Sequence, residues 1–367
     1  MFPKVRQVYS GAKPSMHAPH SYVNALMPWY DSQSRDLPWR QKGQDHADPY
    51  GVWVSEIMLQ QTTVAAVLDY YARFMARFPS VEHLASAPLE DVLHQWQGLG
   101  YYSRARNLHK AAQVVVSQYN GAFPACEKSL LALPGVGPYT AAAIASMAYN
   151  IPTLPVDGNV ARVFARLFKI ATPLPQLLGE VRSRMGAFTG HGPHHGDIAQ
   201  ALMDLGATIC TPARPSCDVC PLRGLCQAFA ASNTHAYPVK APKKTTPHKW
   251  ATAFVMRNTQ GDVYIRQRPE TGLLASLMEV PTTPWDTQEP GEFSPPVQGD
   301  WQRIPKPVTH IFTHFKLTVS VWLAEGVTQD PNLAGMWTPL SELSSHAFPT
   351  LMDKIFKSAG IKINTSS

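Results

Sequence analysis

Four cysteines, Cys210, Cys217, Cys220 and Cys226, fall within 17 residues in the spacing C-x6-C-x2-C-x5-C. No other feature restricts the fold so tightly. Four thiolates this close can wrap one centre, and Pro212, Pro215 and Pro221 stiffen the turns between them. A four-cysteine zinc site usually carries two separated CxxC pairs; here a single CxxC is flanked by lone cysteines, which suits a four-thiolate iron–sulfur cube better. Zinc stands as the alternative. The clustering is unlike a disulfide framework and points to a reducing compartment. Cys126, the odd one, reads as a packed or idle thiol.

At 367 residues the chain is long for one core, and roughly 150 residues per domain suggests two. A hydrophobic share of 44%, with nine Trp, fourteen Phe and thirteen Tyr, supplies enough apolar surface to exclude intrinsic disorder. No uncharged apolar run of about 18 residues exists to span a membrane. The first residues, MFPKVRQVYSGAKPSMH, lack the apolar stretch of a signal peptide, so secretion is not expected. The 32 Lys and Arg exceed the 26 Asp and Glu, giving +6 and a pI near 9.0. That excess fits a polyanionic partner, because basic side chains on a phosphate backbone release counterions.

Residues 20–230 read as mostly helical. Asp48-Pro49 forms an N-cap and first-turn pair, and the segment after it keeps helical spacing through Val54, Ile57, Met58, Val64, Leu68, Tyr71 and Met75. Further Ala- and Leu-rich helical stretches cover 88–97, 103–119, 127–132, 138–149, 158–169 and 194–206. Residues 231–249, rich in Pro and Lys and free of acids, read as a linker. Beyond them, 250–258, 262–268 and 310–325 alternate and carry β-branched and aromatic residues, the pattern of antiparallel strands. A Pro-rich acidic loop (282–300) interrupts these strands, and the tail after about 339 returns to helix. The architecture expected is a mainly α domain over 20–230 joined to a smaller α+β domain over 250–362.

Two further patterns carry chemistry. LPGVGPYTAAAI (133–144) follows a short helix, and Gly135 and Gly137 leave free backbone N–H groups at the start of the next one. Such a helix-hairpin-helix can hold a DNA phosphate with the helix dipole assisting, although the turn alone could be an ordinary helix connection. Glu56 sits among Trp53, Val54, Ile57, Met58 and Leu59, where desolvation would keep a carboxyl protonated near neutrality. Asp157 stands just before a helix, so its first role is N-cap, which would hold the carboxylate rigid and ionised. One protonated and one ionised acid is the arrangement that breaks glycosidic bonds.

With these pieces in place, the chain resembles adenine DNA glycosylases of the MutY type, within the helix-hairpin-helix base-excision superfamily that includes endonuclease III. The segments that carry the resemblance are 35–40 (RDLPWR), 48–62, 97–108, 133–144, 156–163 (VDGNVARV) and 200–226 with its cysteine loop. It implies a six-helix glycosylase domain with an iron–sulfur cluster, then a Nudix-like domain that recognises 8-oxoguanine. It implies removal of adenine mispaired with 8-oxoguanine or guanine in duplex DNA, by a monomer acting in a bacterial nucleoid or a eukaryotic nucleus or organelle. Glu56 would protonate adenine N7, and Asp157 would stabilise the oxocarbenium sugar or a transient covalent adduct. Tyr139 and Asn159 would orient these groups and the attacking water.

The resemblance also assigns Trp39, Arg40, Leu59, Val64, Gln200 and Asp204 to the adenine pocket. The loop 41–47 could shift Arg40. Gln61 and Tyr101 would be wedges inserted in the duplex, offsetting the cost of extruding the base. Lyase-active members carry lysine after the hairpin proline, where Tyr139 stands here; a phenol cannot form an imine, so strand cleavage is not expected. Phe312, Thr313 and His314 match the Phe-Ser-His element that reads the lesion, with Thr313 replacing serine, and Leu274 stands where Trp is usual. No glutamate-rich helix exists for magnesium, so free nucleotides should not be hydrolysed. Two alternatives remain: an endonuclease III-like glycosylase/lyase, and a catalytically idle DNA-binding protein.

Overall fold

The computed structural model describes residues 19–40, 47–189, 194–240, 246–291, 293–328 and 333–363. Helices follow one another from the start: α1 (Pro19–Gln33), α2 (Pro49–Met58), α3 (Val64–Arg77), α4 (Val81–Ser86), α5 (Leu89–Gln95) and α6 (Ser103–Tyr119). After them come α7 (Glu127–Leu131), α8 (Pro138–Tyr149), α9 (Gly158–Leu167), α10 (Gln176–Ser183), α11 (His195–Asp204) and α12 (Gln227–Ala230). Strands β1 (His248–Met256), β2 (Val263–Gln267), β3 (Met278–Glu279), β4 (Trp301–Arg303), β5 (Val308–Ile311), β6 (Lys316–Ala324) and β7 (Met336–Thr338) follow, and α13 (Thr350–Ser358) ends the order. Among the described residues, no helix is long and apolar enough to cross a membrane.

Asp48 caps α2 as its sequence suggests: its two carboxylate oxygens accept the N–H groups of Tyr50 (3.1 Å) and Gly51 (2.9 Å). The helical spacing that runs unbroken from Val54 to Met75 in sequence is, in the structure, two helices. Gln61 adopts a left-handed φ of 63°, and Thr63 restarts the chain by accepting the Ala66 N–H. Periodicity alone does not register such a break, because the same apolar face continues on both sides of it.

Two compact units emerge, and they interleave along the chain. The first holds Met1–Trp53, Ala125–Leu131 and Val136–Ala241. Its core is built on α9, whose residues Val160–Leu167 are all buried. Aromatic rings fill the centre, with Tyr22 edge-on to Phe168 at 5.5 Å and Phe164 beside Phe188 at 5.2 Å. Beyond α11 the chain passes into one π-helical turn (Leu205–Ile209) that delivers Cys210.

The second unit holds Val54–Pro124, Ala132–Gly135 and Pro242–Ser367. Phe74 and Trp96 pack edge to face at 6.0 Å in its helical part. Its sheets are β1-β6-β4, with β5 added on β6, and β3-β2-β7. The pairing departs from the all-antiparallel expectation, since β1 and β6 run parallel from His248↔Lys316 to Met256↔Ala324. Four other strands lie between them in sequence, which provides the long crossover that parallel neighbours require. The segment 310–325 is a hairpin and not one strand: β5 and β6 are antiparallel, and the Phe312 N–H donates to the Phe315 carbonyl at 2.9 Å to close the turn. The helical tail is confined to α13 and one short turn (Leu343–Ser345), and α13 buries Leu351, Met352, Ile355 and Phe356 in the sheet core.

Candidate active site and cysteine loop

Glu56 lies on the last turn and a half of α2 and is only 2% exposed, with Trp53, Val54 and Met58 completely buried beside it in sequence. A carboxyl in such surroundings has lost most of its water. Asp157 is the N-cap of α9. One oxygen accepts the Val160 N–H at 2.7 Å, and the other accepts the Asn159 side-chain amide at 3.0 Å. Burial pushes its carboxyl above the ordinary aspartate range, and the Val160 and Asn159 bonds with the nearby Arg162 charge oppose that shift without cancelling it. The cap is therefore as rigid as expected, but its carboxylate is harder to ionise than capping alone implies.

Asn159 is fixed in turn. Its carbonyl oxygen accepts a bond from Arg162 Nη2 at 2.8 Å, and Gly206 backs directly onto it. A Cβ at Gly206 would stand 2.7 Å from Asn159 Cβ, so no other residue fits there without displacement. Arg162 also donates to the carbonyls of Gly206 (2.6 Å) and Cys210 (2.7 Å), tying the Asp157–Asn159 pair to the first cysteine. One turn further along α9, Arg166 donates to Cys210 Sγ (3.3 Å), to the Thr211 carbonyl (2.8 Å) and to the Pro212 carbonyl (3.0 Å). Both arginines are buried. Sequence reading missed them; the signal was available, as two cations on a helix with apolar residues on every side need a buried partner.

Cys210, Cys217, Cys220 and Cys226 line one cavity of about 30 Å³, walled chiefly by aliphatic side chains, and none forms a disulfide. Burial raises the Cys217 and Cys226 thiols and pushes Cys220 up to about 12, with the neighbouring thiols adding to the effect. Among the described residues, no group of three or more His, Cys, Asp or Glu is placed to hold a metal ion. Four thiols are nonetheless a soft donor set of the kind that holds an iron–sulfur core, whose charge would ionise thiols that burial otherwise keeps neutral. The flanking cations Arg214 and Arg223 are both exposed, and Arg223 sits over Phe229 at 4.8 Å and reaches Asp218 at 3.6 Å.

The residues assigned to the adenine pocket divide by behaviour. Trp39 is buried. Arg40 and Asp204 form a two-pronged ion pair at 2.7 and 2.8 Å, joined by Arg35 Nε at 2.7 Å. Burial would raise Asp204, but Arg40 and then Arg35 outweigh it and hold the carboxyl below its usual range. The loop 41–46 that precedes α2 lies outside the described residues. Gln200 is 9% exposed, and its Oε1 has no hydrogen-bond partner among the described residues. Leu59 and Val64 are half-buried on either side of the α2–α3 break.

In the hairpin, Gly135 takes φ 75° and a Cβ there would meet Asn107 Cβ at 2.6 Å, so glycine is required twice over. Gly137 precedes α8 in extended conformation, with Pro138 and Tyr139 opening the helix. Gln61 is exposed and Tyr101 is 45% exposed, both with positive φ. Phe312 packs between Trp285 (5.4 Å) and Phe315 (4.8 Å), while Thr313 and His314 project at the tip of the β5–β6 turn. Thr313 shares a hydrogen bond with the Tyr101 hydroxyl. Leu274 adopts φ 58° and packs partly against the sheet core.

Trp39, Arg40, Gly137, Tyr139, Asp157, Asn159, Gln200, Asp204 and the cysteines fall in the first unit. Glu56, Leu59, Gln61, Val64, Tyr101, Gly135 and the 312–314 turn fall in the second.

Comparison with known proteins places this geometry. The HhH-GPD superfamily of base excision DNA repair proteins matches residues 54–182, and the NUDIX domain matches residues 252–358. The adenine DNA glycosylase of Homo sapiens is 36% identical over 402 residues, covering 92% of this chain and 73% of that protein. That of Mus musculus is 36% identical with 92% and 77% covered, and that of Buchnera aphidicola subsp. Baizongia pistaciae is 34% identical with 71% and 73% covered. Among solved structures, a thermostable thymine-DNA glycosylase superposes with a TM-score of 0.51 at 28% identity, over 58% of this chain and 97% of its own. A helical HhH-GPD domain followed by a Nudix-like domain, with this extent of identity, makes the chain a member of the adenine DNA glycosylase family of base excision repair enzymes.

Proposed function

We propose that the enzyme hydrolyses the N-glycosidic bond of adenine paired with 8-oxoguanine or guanine in duplex DNA, leaving the strand uncut. The observation that carries this reading is the near-complete burial of Glu56, a carboxyl set in an apolar stretch of α2. Glu56 is the general acid that protonates adenine N7 so that a neutral base departs. Asp157, held by Val160 and Asn159, supplies the negative charge beside the sugar as positive charge develops there, or adds to it covalently. Tyr139, at the first turn of α8 where a lyase would need an amine, orients these groups and gives no imine.

The adenine site draws on the open acceptor of Gln200, whose carbonyl matches the exocyclic amine of adenine. Trp39, Leu59 and Val64 are its apolar residues, and Arg40 and Asp204, paired with one another, its charged ones. Gln61 and Tyr101 enter the stack, Gly135 and Gly137 present N–H groups to the backbone, and Phe312, Thr313 and His314 read the 8-oxoguanine partner. Residues 20–230 and 250–362 act as catalytic and lesion-reading domains across the 231–249 linker. Cys210, Cys217, Cys220 and Cys226 would hold a four-iron, four-sulfur cluster. When bound, it supplies a cationic core that ionises the four thiols and closes the loop.

Purified enzyme incubated with an adenine·8-oxoguanine duplex should cut the adenine strand only after alkali, with no borohydride-trapped adduct. Glu56→Gln should lower the single-turnover rate about 10²–10⁴-fold while DNA affinity is retained. Absence of alkali-dependent cutting by the unaltered enzyme defeats this reading. The protein should be brown; a colourless protein with stoichiometric zinc overturns the cluster.

A further inference from the structure

Gln61 and Tyr101 lie on separate loops of the second unit, and both hold left-handed backbone conformations that side-chain-bearing residues seldom adopt. Such geometry persists only where surrounding structure imposes it. One side chain reaches both loops. Arg104, on the first turn of α6 and 9% exposed, donates through Nη1 to the carbonyls of Ile57 (2.7 Å), Met58 (3.1 Å) and Gln60 (2.5 Å). Through Nη2 it donates to the carbonyls of Leu99 and Gly100, each at 3.2 Å. The guanidinium thus grips the carbonyl immediately before Gln61 and the carbonyl immediately before Tyr101.

The same group lies over the Trp96 ring at 5.4 Å and the Tyr101 ring at 5.5 Å. Its partners are carbonyls at two chain reversals, with no carboxylate among its described hydrogen bonds or ion pairs. Here a planar fork meets backbone on both sides, a task that a lysine's single ammonium cannot perform.

We propose that Arg104 is a positioning residue that fixes the spacing of the Gln61 and Tyr101 loops so that both side chains enter the duplex together. This rests on the reading of those two residues as wedges. Loops set in register beforehand need no ordering at insertion, so the inserted side chains can offset unstacking in full.

The test compares single-turnover adenine release from a paired adenine·8-oxoguanine duplex and from the same strand with adenine in an unpaired bulge, already free of its partner. Arg104→Lys should slow release from the paired duplex about tenfold to a hundredfold and leave the bulged substrate little changed. Equal loss on both substrates marks a purely structural role and overturns the proposal, as does no loss on either. Gln61→Ala and Tyr101→Ala separate the underlying reading. If neither slows the paired duplex, the wedge assignment itself fails; if both do and Arg104→Lys does not, only the role of Arg104 fails. Should Arg104→Lys not fold, Gly100→Ala decides. Gly100 has φ 70° and open space where a Cβ would go, so the strain stays in the loop that Arg104 holds. The same duplex-specific loss is expected from it, and equal loss or none overturns the proposal.

Discussion

Asp157 caps α9 with one oxygen and holds the Asn159 amide with the other, so its position is settled before any substrate arrives. Its protonation is not settled in the same way, because burial lifts the carboxyl above the ordinary value of 3.8. The sign follows from linkage. With the folded pKa raised, ionising Asp157 costs the native state stability as pH climbs from the unfolded value through the folded one. The proposed mechanism needs the ionised form, so its acid limb should lie above the pH of an ordinary aspartate. Asn159→Ala removes a bond that favours the anion and should move that limb further up, measured as the pH profile of single-turnover adenine release. An unmoved limb would separate Asp157 from the rate. At this scale the sequence was informative: Glu56 stood out as an acid in an apolar run, and Asp157 as a residue preceding a helix. Arg162 and Asn159 were not readable as partners, since their bond is set by χ angles that no spacing encodes.

α9 shows how one element joins two kinds of chemistry. Its N-terminus carries Asp157, and its buried Arg162 and Arg166 face the loop that starts at Cys210. Arg162→Ala would strip charge-assisted bonds from the Gly206 and Cys210 carbonyls and from Asn159. Each such bond contributes about 1.5–3 kcal/mol. The variant should unfold at lower temperature, lose visible absorbance and release adenine more slowly. Unchanged absorbance and rate would mean that the cysteine loop and Asp157 are independent. The helices themselves were largely legible, from α6 and α8 to α9, because apolar spacing and terminal Gly and Pro residues mark them. The break between α2 and α3 was not, since Gln61 carries no turn signature for the left-handed φ it adopts.

Across the whole molecule, the helices of residues 54–124 cluster with the C-terminal sheets. Tyr102 donates to the Phe348 carbonyl at 3.2 Å, Arg106 to the Ala275 carbonyl at 2.6 Å, and Tyr101 pairs with Thr313. The residues proposed as a wedge and as a lesion reader are therefore joined before DNA binds. Thr313→Val keeps the shape and removes the hydroxyl. The preference for adenine opposite 8-oxoguanine over adenine opposite guanine should fall about fivefold, the worth of one hydrogen bond near 1 kcal/mol, while release opposite guanine is maintained. An unchanged ratio would detach Thr313 from lesion reading.

By itself the sequence determined the helical and sheet content, the glycine-dependent hairpin, the grouping of the four cysteines, and the placing of Glu56 in an apolar run and of Asp157 before a helix, because each follows from local spacing or composition. Tertiary structure alone decided the parallel pairing of β1 with β6, the turn that separates β5 from β6, and the arginine bridges on α9. It also decided which loops share Arg104. These depend on contacts between residues far apart in the chain, and a local pattern carries no record of the neighbour that burial and hydrogen bonding will select.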